Sequence, residues 1–311
     1  MMGVTKLYVP SLHCESCEKR ISRVLGKEHG VDSMSFEDDA INIVYDNDSI
    51  TKSSIIDKIE SLGYRVSDEP IDGLKFSERY NHYKENPNEY SIEKTSLYYA
   101  LIMTVALWIV PILTYMAFFR DTQNFWSSYI WWFFYLNISI AFIGATIRVI
   151  LSYNAKITGM TGMMIGMTIG MQTGMMIGAV LGATNGFFVG AMAGMILGVL
   201  VGAILGNCCG VMGVMEGMMA GLMGGTMGPM ISVMMIADNI LLFMPLYIII
   251  NIIILLGLWY MHYESAVYKA PKVVRKPIDF MTYASVSIVV CAVITFIMLY
   301  APRNIMAIFV S

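Results

Sequence analysis

A glycine stands at every fourth position from Gly162 to Gly210 without a miss. The register then slips once and resumes at Gly213, Gly217 and Gly221. Few folds accept such a stretch. In water each helical glycine costs about 1 kcal/mol against alanine. In a bilayer, free backbone groups have no solvent partner, so the segment stays helical, and small residues let helices approach closely. The spacing constrains the packing as well. Four residues advance about 400° around a helix, so the stripe drifts about 40° per repeat. Such a helix offers close-approach surface to more than one neighbour, which predicts the centre of a bundle rather than a simple dimer seam. Eighteen of the 28 methionines lie between Met160 and Met235, several directly after a glycine, among them Met163, Met167, Met171 and Met175. Thioethers and bare backbone are expected side by side along one drifting path.

The surrounding chain agrees with a bilayer. Of 311 residues, 57% are hydrophobic and 14% charged, the balance of a membrane-embedded protein. Apolar runs long enough to span occur at about 96–119, 126–150, 160–182, 187–206, 210–235, 239–261 and 280–301, which predicts about seven helices. Residues 1–95 hold 12 basic against 18 acidic residues, and residues 96–311 hold 8 against 5. The expected organisation is an acidic head over 1–67, a polar linker over 68–95, a helical body over 96–302 with its glycine- and methionine-rich core at 159–235, and a tail over 303–311. The linker reads as a tether or as a short interfacial helix over Lys75 to Glu85. The start carries no long apolar run, so no secretory signal is expected and the head is placed in the cytosol, at the plasma membrane. The inner connections are then 151–159, 207–209 and 262–279. The last carries Lys269, Lys272, Arg275 and Lys276, in keeping with the positive-inside tendency. Trp126, Trp131 and Trp132 read as an interfacial belt and Pro229 as a kink. Nothing suggests nucleic-acid binding.

Within the head, Lys6 to Val9 reads as a strand and Glu15 to Lys27 as a helix with Ile21, Val24 and Leu25 inward. Val31 to Glu37 and Ala40 to Tyr45 read as strands joined by a turn at Asp38-Asp39. A second helix turns Ile55, Ile56, Ile59 and Leu62 inward, and Tyr64 to Ser67 closes as a strand. The order βαββαβ is that of a ferredoxin-like α+β unit, set before an all-α polytopic body.

Between the first strand and first helix lies Ser11-Leu12-His13-Cys14-Glu15-Ser16-Cys17. Two thiols in a C-x-x-C can close on one soft ion, and a helix N-terminus favours their thiolate form. Two thiolates suit Cu(I) or another soft ion, whereas a closed zinc site wants four ligands. A thioredoxin-type redox pair is the other reading, against which strand order and position both stand. Here the head resembles the heavy-metal-associated (HMA) domain of copper chaperones and copper-exporting ATPases. The family's G-M-x-C-x-x-C stands as the segment from Ser11 to Cys17, and its L-G-Y as Leu62-Gly63-Tyr64. The resemblance implies labile binding of Cu(I), or of Ag(I) or Hg(II), by Cys14 and Cys17, with transfer to a partner by ligand exchange. Leu12 replaces the usual methionine and Ser11 the glycine. His13 reads as a third ligand or, more plainly, as a solvated loop residue.

Three features of the body can carry chemistry. Thioether sulfur is a soft, uncharged, weak ligand, and a string of such sites lets an ion enter and leave; methionine is also a flexible filler beside glycine. The candidates are Met163, Met167, Met171 and Met175 on one helix and Met212 and Met215 on another. Cys208-Cys209, on the expected inner face, can exchange metal with the head; the pair is similar to that of bacterial mercuric transport proteins. Buried structural cysteines are the plain alternative, and that is also the reading of Cys291. Glu216 is the sole acid of the glycine-methionine region, and an intramembrane carboxylate is a functional candidate by default.

The function expected is membrane transport of a soft heavy-metal ion, Cu(I) first. The alternatives are a membrane-anchored copper delivery factor or sensor, and a thiol oxidoreductase. No Gly-x-x-x-x-Gly-Lys-[Ser/Thr] loop and no Asp-Lys-Thr-Gly motif occurs, so no ATPase or other enzyme is expected. The partners expected are the bilayer and the metal, with a copper-exchanging protein and a further copy of the chain as candidates.

Overall fold

A computed structural model of the chain describes residues 2–9, 15–37, 40–46, 49–62, 66–67, 91–118, 125–154, 159–263, 274–275 and 278–302. The chain divides into two compact units, one of Met1–Asn88 with Tyr153–Thr158 and Tyr263–Arg275, the other of Glu89–Ser152, Gly159–His262 and Lys276–Ser311.

In the head, β1 (Met2–Tyr8), β2 (Val31–Glu37) and β3 (Ala40–Asp46) form an antiparallel sheet in the order β1-β3-β2. Leu7 pairs with Ile41 and Thr5 with Ile43. Alternate residues of a strand share a face, which is why Leu7 of the first strand, Val9 just past its end, and Ile41, Ile43 and Tyr45 of the third are all buried. Two helices supply the rest of this core: α1 (Glu15–Leu25) with Ile21 and Leu25, and α2 (Lys52–Ser61) with Ile55 and Ile59. Val24, Ile56 and Leu62 are only half-buried. α2 starts at Thr51, whose hydroxyl accepts from Ser54 N at 3.4 Å and so satisfies one of the helix's free donors. Of the closing strand, Ser67 is seen paired with Tyr8 through two backbone bonds of 2.8 and 2.9 Å. Tyr64, the turn at Asp38-Asp39 and the expected linker helix lie outside the described residues.

The helical unit contains six stretches long and apolar enough to cross a membrane. The first is α3 (Ser91–Ala106) followed by α4 (Ile109–Phe118), and it starts inside the stretch read as linker. It breaks at Leu107-Trp108 because Pro111 has no N–H for the Leu107 carbonyl, which takes Val110 N at 3.1 Å instead. Then come α5 (Phe125–Ser152) and α6 (Gly159–Asn185). The fourth stretch, Phe187–Met235, has 49 residues. A 3-10 turn at Asn207–Cys209 folds it into α7 (Phe187–Gly206) and α8 (Gly210–Met235). Finally come α9 (Ile240–His262) and α10 (Phe280–Tyr300). A short ladder pairs β4 (Tyr153–Asn154) with β5 (Val274–Arg275).

Glycine holds α6, α7 and α8 together. α7 meets α8 antiparallel, with Gly206 against Gly213, Gly202 against Gly217 and Gly198 against Gly221. The other two faces of the trio follow the same rule. Gly166 and Gly170 of α6 meet Gly206 and Gly202 of α7, while Gly170 and Gly174 also meet Gly217 and Gly225 of α8. One drifting stripe on α6 thus serves two neighbours. The turns rest on glycine as well: Gly186 has φ +94° and Gly210 φ +74°, a region that a Cβ disfavours. α8 runs through Pro229 as one helix, with the ring seated on Gly178 and Gly182 of α6. The opposite face of α6 (Met176, Ile177, Val180, Leu181) packs into a core with Phe133 and Leu136 of α5, Met244 and Ile248 of α9 and Ile294 and Met298 of α10.

Methionine borders the glycine contacts: Gly224 and Gly228 of α8 rest on the backbone of Met171 and Met175 of α6. Helix backbones already touch at the glycines, so a side chain as large as methionine has no room between them. Met163, Met171 and Met175 of α6 are half-buried and Met176 is fully buried, while Met212, Met215, Met219, Met223, Met227, Met230 and Met234 of α8 are exposed.

Candidate metal centre

Of the two leading cysteines, Cys17 belongs to the start of α1. Cys17 is in its first turn, and its side chain, like the whole of Cys14, lies outside the described residues. β1 ends at Tyr8, and α1 starts at Glu15, within the C-x-x-C, and is held on the sheet by Ile21 and Leu25. Residues 6–65 match the family model of the heavy-metal-associated domain. No curated protein and no solved structure matches the chain. The heavy-metal-associated domain therefore makes the head a heavy-metal-binding module, joined to helices suited to a membrane.

A second sulfur pair is built at one end of the helical unit. Cys208 and Cys209 sit in the 3-10 turn between α7 and α8, with their Sγ atoms 3.5 Å apart. Cys208 Sγ donates to the Leu205 carbonyl at 3.3 Å. Both sulfurs rest on Gly162, in the first turn of α6. A Cβ there would collide with Cys209 Sγ and lie 2.7 Å from Cys208 Sγ. Cys209 Cβ is in turn 3.1 Å from where a Cβ on Gly213 would stand. The pair occupies a notch that only glycine on both neighbouring helices leaves open. Cys208 is exposed and Cys209 half-buried. Sequence reasoning picked out the dithiol but not its floor, because Gly162 looks like any other member of the repeat.

The methionines divide by helix. On α6, Met163, Met171 and Met175 are half-buried and Met167 is exposed. On α8, Met212, Met215, Met219, Met223, Met227, Met230 and Met234 are all exposed. Their mean spacing is about 3.7 residues, close to one helical turn, so they form a straight stripe where the glycines drift. The stripe starts one turn beyond the dithiol and runs nearly the whole of a 26-residue helix. Glu216 is half-buried beside it. Other outer faces differ: α9 exposes Leu241, Leu242, Leu246, Ile249, Ile250 and Ile253, the residues expected against lipid. Cys291 is fully buried, with Sγ 3.5 Å from Asn137 Oδ1, and belongs to the core.

Sequence reasoning passed over several polar groups inside the body. Arg148, near the end of α5, is 5% exposed. Its Nε donates to the Ile278 carbonyl at 3.0 Å, its Nη1 to Ser96 Oγ, and its guanidinium lies 4.8 Å over the Tyr99 ring. It pins α3, α5 and the approach to α10 together. The signal was present as the lone cation within the apolar run 126–150. Gln172 Oε1 and Thr173 Oγ1, midway along α6, and Asn137 Nδ2 on α5 are buried without a hydrogen-bond partner among the described residues. Also among the described residues, no group of three His, Cys, Asp or Glu side chains is placed to hold one ion.

Proposed function

We propose that the chain carries a soft heavy-metal ion, Cu(I) first and Ag(I) or Hg(II) by the same chemistry, across the plasma membrane. The head binds the ion on the cytoplasmic side through Cys14 and Cys17 and exchanges it with Cys208 and Cys209. The head completes a ferredoxin-like βαββαβ unit. The body crosses the bilayer seven times, the 49-residue stretch crossing twice as a hairpin. No ATP is used.

The observation that carries this reading is the sulfur stripe of α8. It begins beside the dithiol, steps by roughly 5–6 Å per turn, and faces out of its own chain. Thioethers are weak enough as ligands to release as well as to bind. A path along this stripe lies between α8 and the same face of another copy. Enclosure there also removes Glu216 from lipid, where a carboxylate is costly.

The outward direction of the methionines also favours a second reading, a membrane-anchored factor that holds copper on the head and delivers it to a partner without transport. Flux separates the two. Purified full-length protein in sealed vesicles is expected to admit Cu(I) and Ag(I) and to pass Zn(II) far more slowly. Copper binding with no flux above empty vesicles would leave the delivery factor.

A further inference from the structure

The core shared by α5, α6, α9 and α10 carries polar groups at its middle. Asn137 lies midway along the 28 residues of α5, and Gln172 and Thr173 lie midway along the 27 of α6. All three are buried. Asn137 follows Phe133 by one turn, and Gln172 and Thr173 precede Met176 and Ile177 by one turn. Phe133, Met176 and Ile177 pack in one core, so the polar side chains enter that core from both helices. Tyr247 of α9 packs against it as well. Four polar atoms here have no hydrogen-bond partner among the described residues: Asn137 Nδ2, Gln172 Oε1, Thr173 Oγ1 and Tyr247 Oη.

Unpaired polar groups are costly in an apolar interior, and buried ones are as a rule bonded to protein or to ordered water. The chemistry of the four says which partner fits. Nδ2 only donates, Oε1 only accepts, and the two hydroxyls do both. A metal cation would meet the Nδ2 hydrogens, and an anion the Oε1 lone pairs. A small neutral molecule that both donates and accepts suits all four. Water is the smallest of that class, and a buried water commonly makes about three such bonds. The Cys291 thiol belongs to the same place. Its Sγ is 3.5 Å from Asn137 Oδ1 and 3.9 Å from Thr295 Oγ1. One amide thus holds the thiol with its oxygen and turns its unpaired N–H into the core.

We infer that α5, α6, α9 and α10 enclose a hydration site in the middle of the bundle, where ordered water is bound by Asn137, Gln172, Thr173 and Tyr247 and reaches the Cys291 thiol. The site is separate from the sulfur stripe of α8 and does not depend on metal transport. Its water gives the buried thiol a partner for proton exchange. In heavy water, S–H and D2O give S–D and HOD, with no change of oxidation state.

The test keeps Cys291 as the one thiol of the full chain, through Cys14→Ser, Cys17→Ser, Cys208→Ser and Cys209→Ser. The protein in lipid nanodiscs is moved into D2O, and infrared absorption follows the S–H stretch beside the amide bands of the helices. The S–H band is expected to give way to S–D at least tenfold faster than the helix amides exchange. Gln172→Leu with Thr173→Val removes two of the polar partners at similar volume, and it should slow the thiol exchange at least tenfold. Thiol exchange no faster than that of the helix amides would overturn the inference, and so would exchange unaltered in the folded double variant. Where that variant fails to fold, the rate in its parent decides.

Discussion

Changing one glycine to alanine at two places should move stability in opposite directions. At Gly202, on α7, an added Cβ would lie 2.7 Å from the Gly217 carbonyl carbon and closer still to its oxygen. Ordinary contact is about 3.5 Å or more, so α7 and α8 must part by about 1 Å. The obstacle is backbone, and no rotamer change relieves it. A gap of that size forfeits a quarter to a half of each contact it opens, and overpacking of this kind costs about 1–3 kcal/mol. The better helix propensity of alanine offsets about 1 kcal/mol of this. At Gly257, on α9, an added Cβ meets nothing within 4 Å beyond its own helix backbone among the described residues. Only the propensity gain remains there, about 0.5–1 kcal/mol of stabilisation. Equilibrium unfolding in mixed micelles should therefore rank Gly257→Ala above the parent and Gly202→Ala below it, about 2 kcal/mol apart. Equal stability of the two variants would show that the glycine ladder does not bring the helices into backbone contact.

Two further substitutions probe single contacts. Arg148→Lys keeps the charge but cannot hold both Ile278 O and Ser96 Oγ while stacking on Tyr99; it should destabilise the body by about 2–3 kcal/mol, and an unchanged micelle unfolding curve would remove Arg148 as a tie. Thr51→Ala removes the cap of α2; amide exchange across Ile55 to Ile59 in the full chain should quicken by about fivefold, equivalent to about 1 kcal/mol, and unaltered exchange would show that the cap contributes nothing.

Much of this was legible because local period reports burial. Leu7, Val9, Ile21, Leu25, Ile55 and Ile59 sit inside the head as their spacing implies. The four-residue glycine repeat implied close helices, and its drift implied more than one neighbour for α6. What spacing along one helix cannot reveal is which surface faces which partner. Gly162 and Cys209 are far apart in sequence, and only the folded trio brings them together. For the same reason spacing alone does not say whether thioethers enter the glycine contacts or lie beside them. Backbone contact at glycine leaves no space there, and the α8 sulfurs keep a turn-by-turn spacing of their own. The break before Pro111 is a local effect on Leu107, four residues back, whereas the role of the buried Arg148 depends on Ile278, a partner that a single run of sequence does not connect.

The central claim is that sulfur along α8 is a route for the ion. Replacing Met212, Met215, Met219 and Met223 together by leucine keeps volume and apolarity and removes four thioethers. Flux of Cu(I) and Ag(I) into vesicles should fall at least tenfold while copper binding by the head is unchanged. Undiminished flux in that variant would contradict the account and return these methionines to packing.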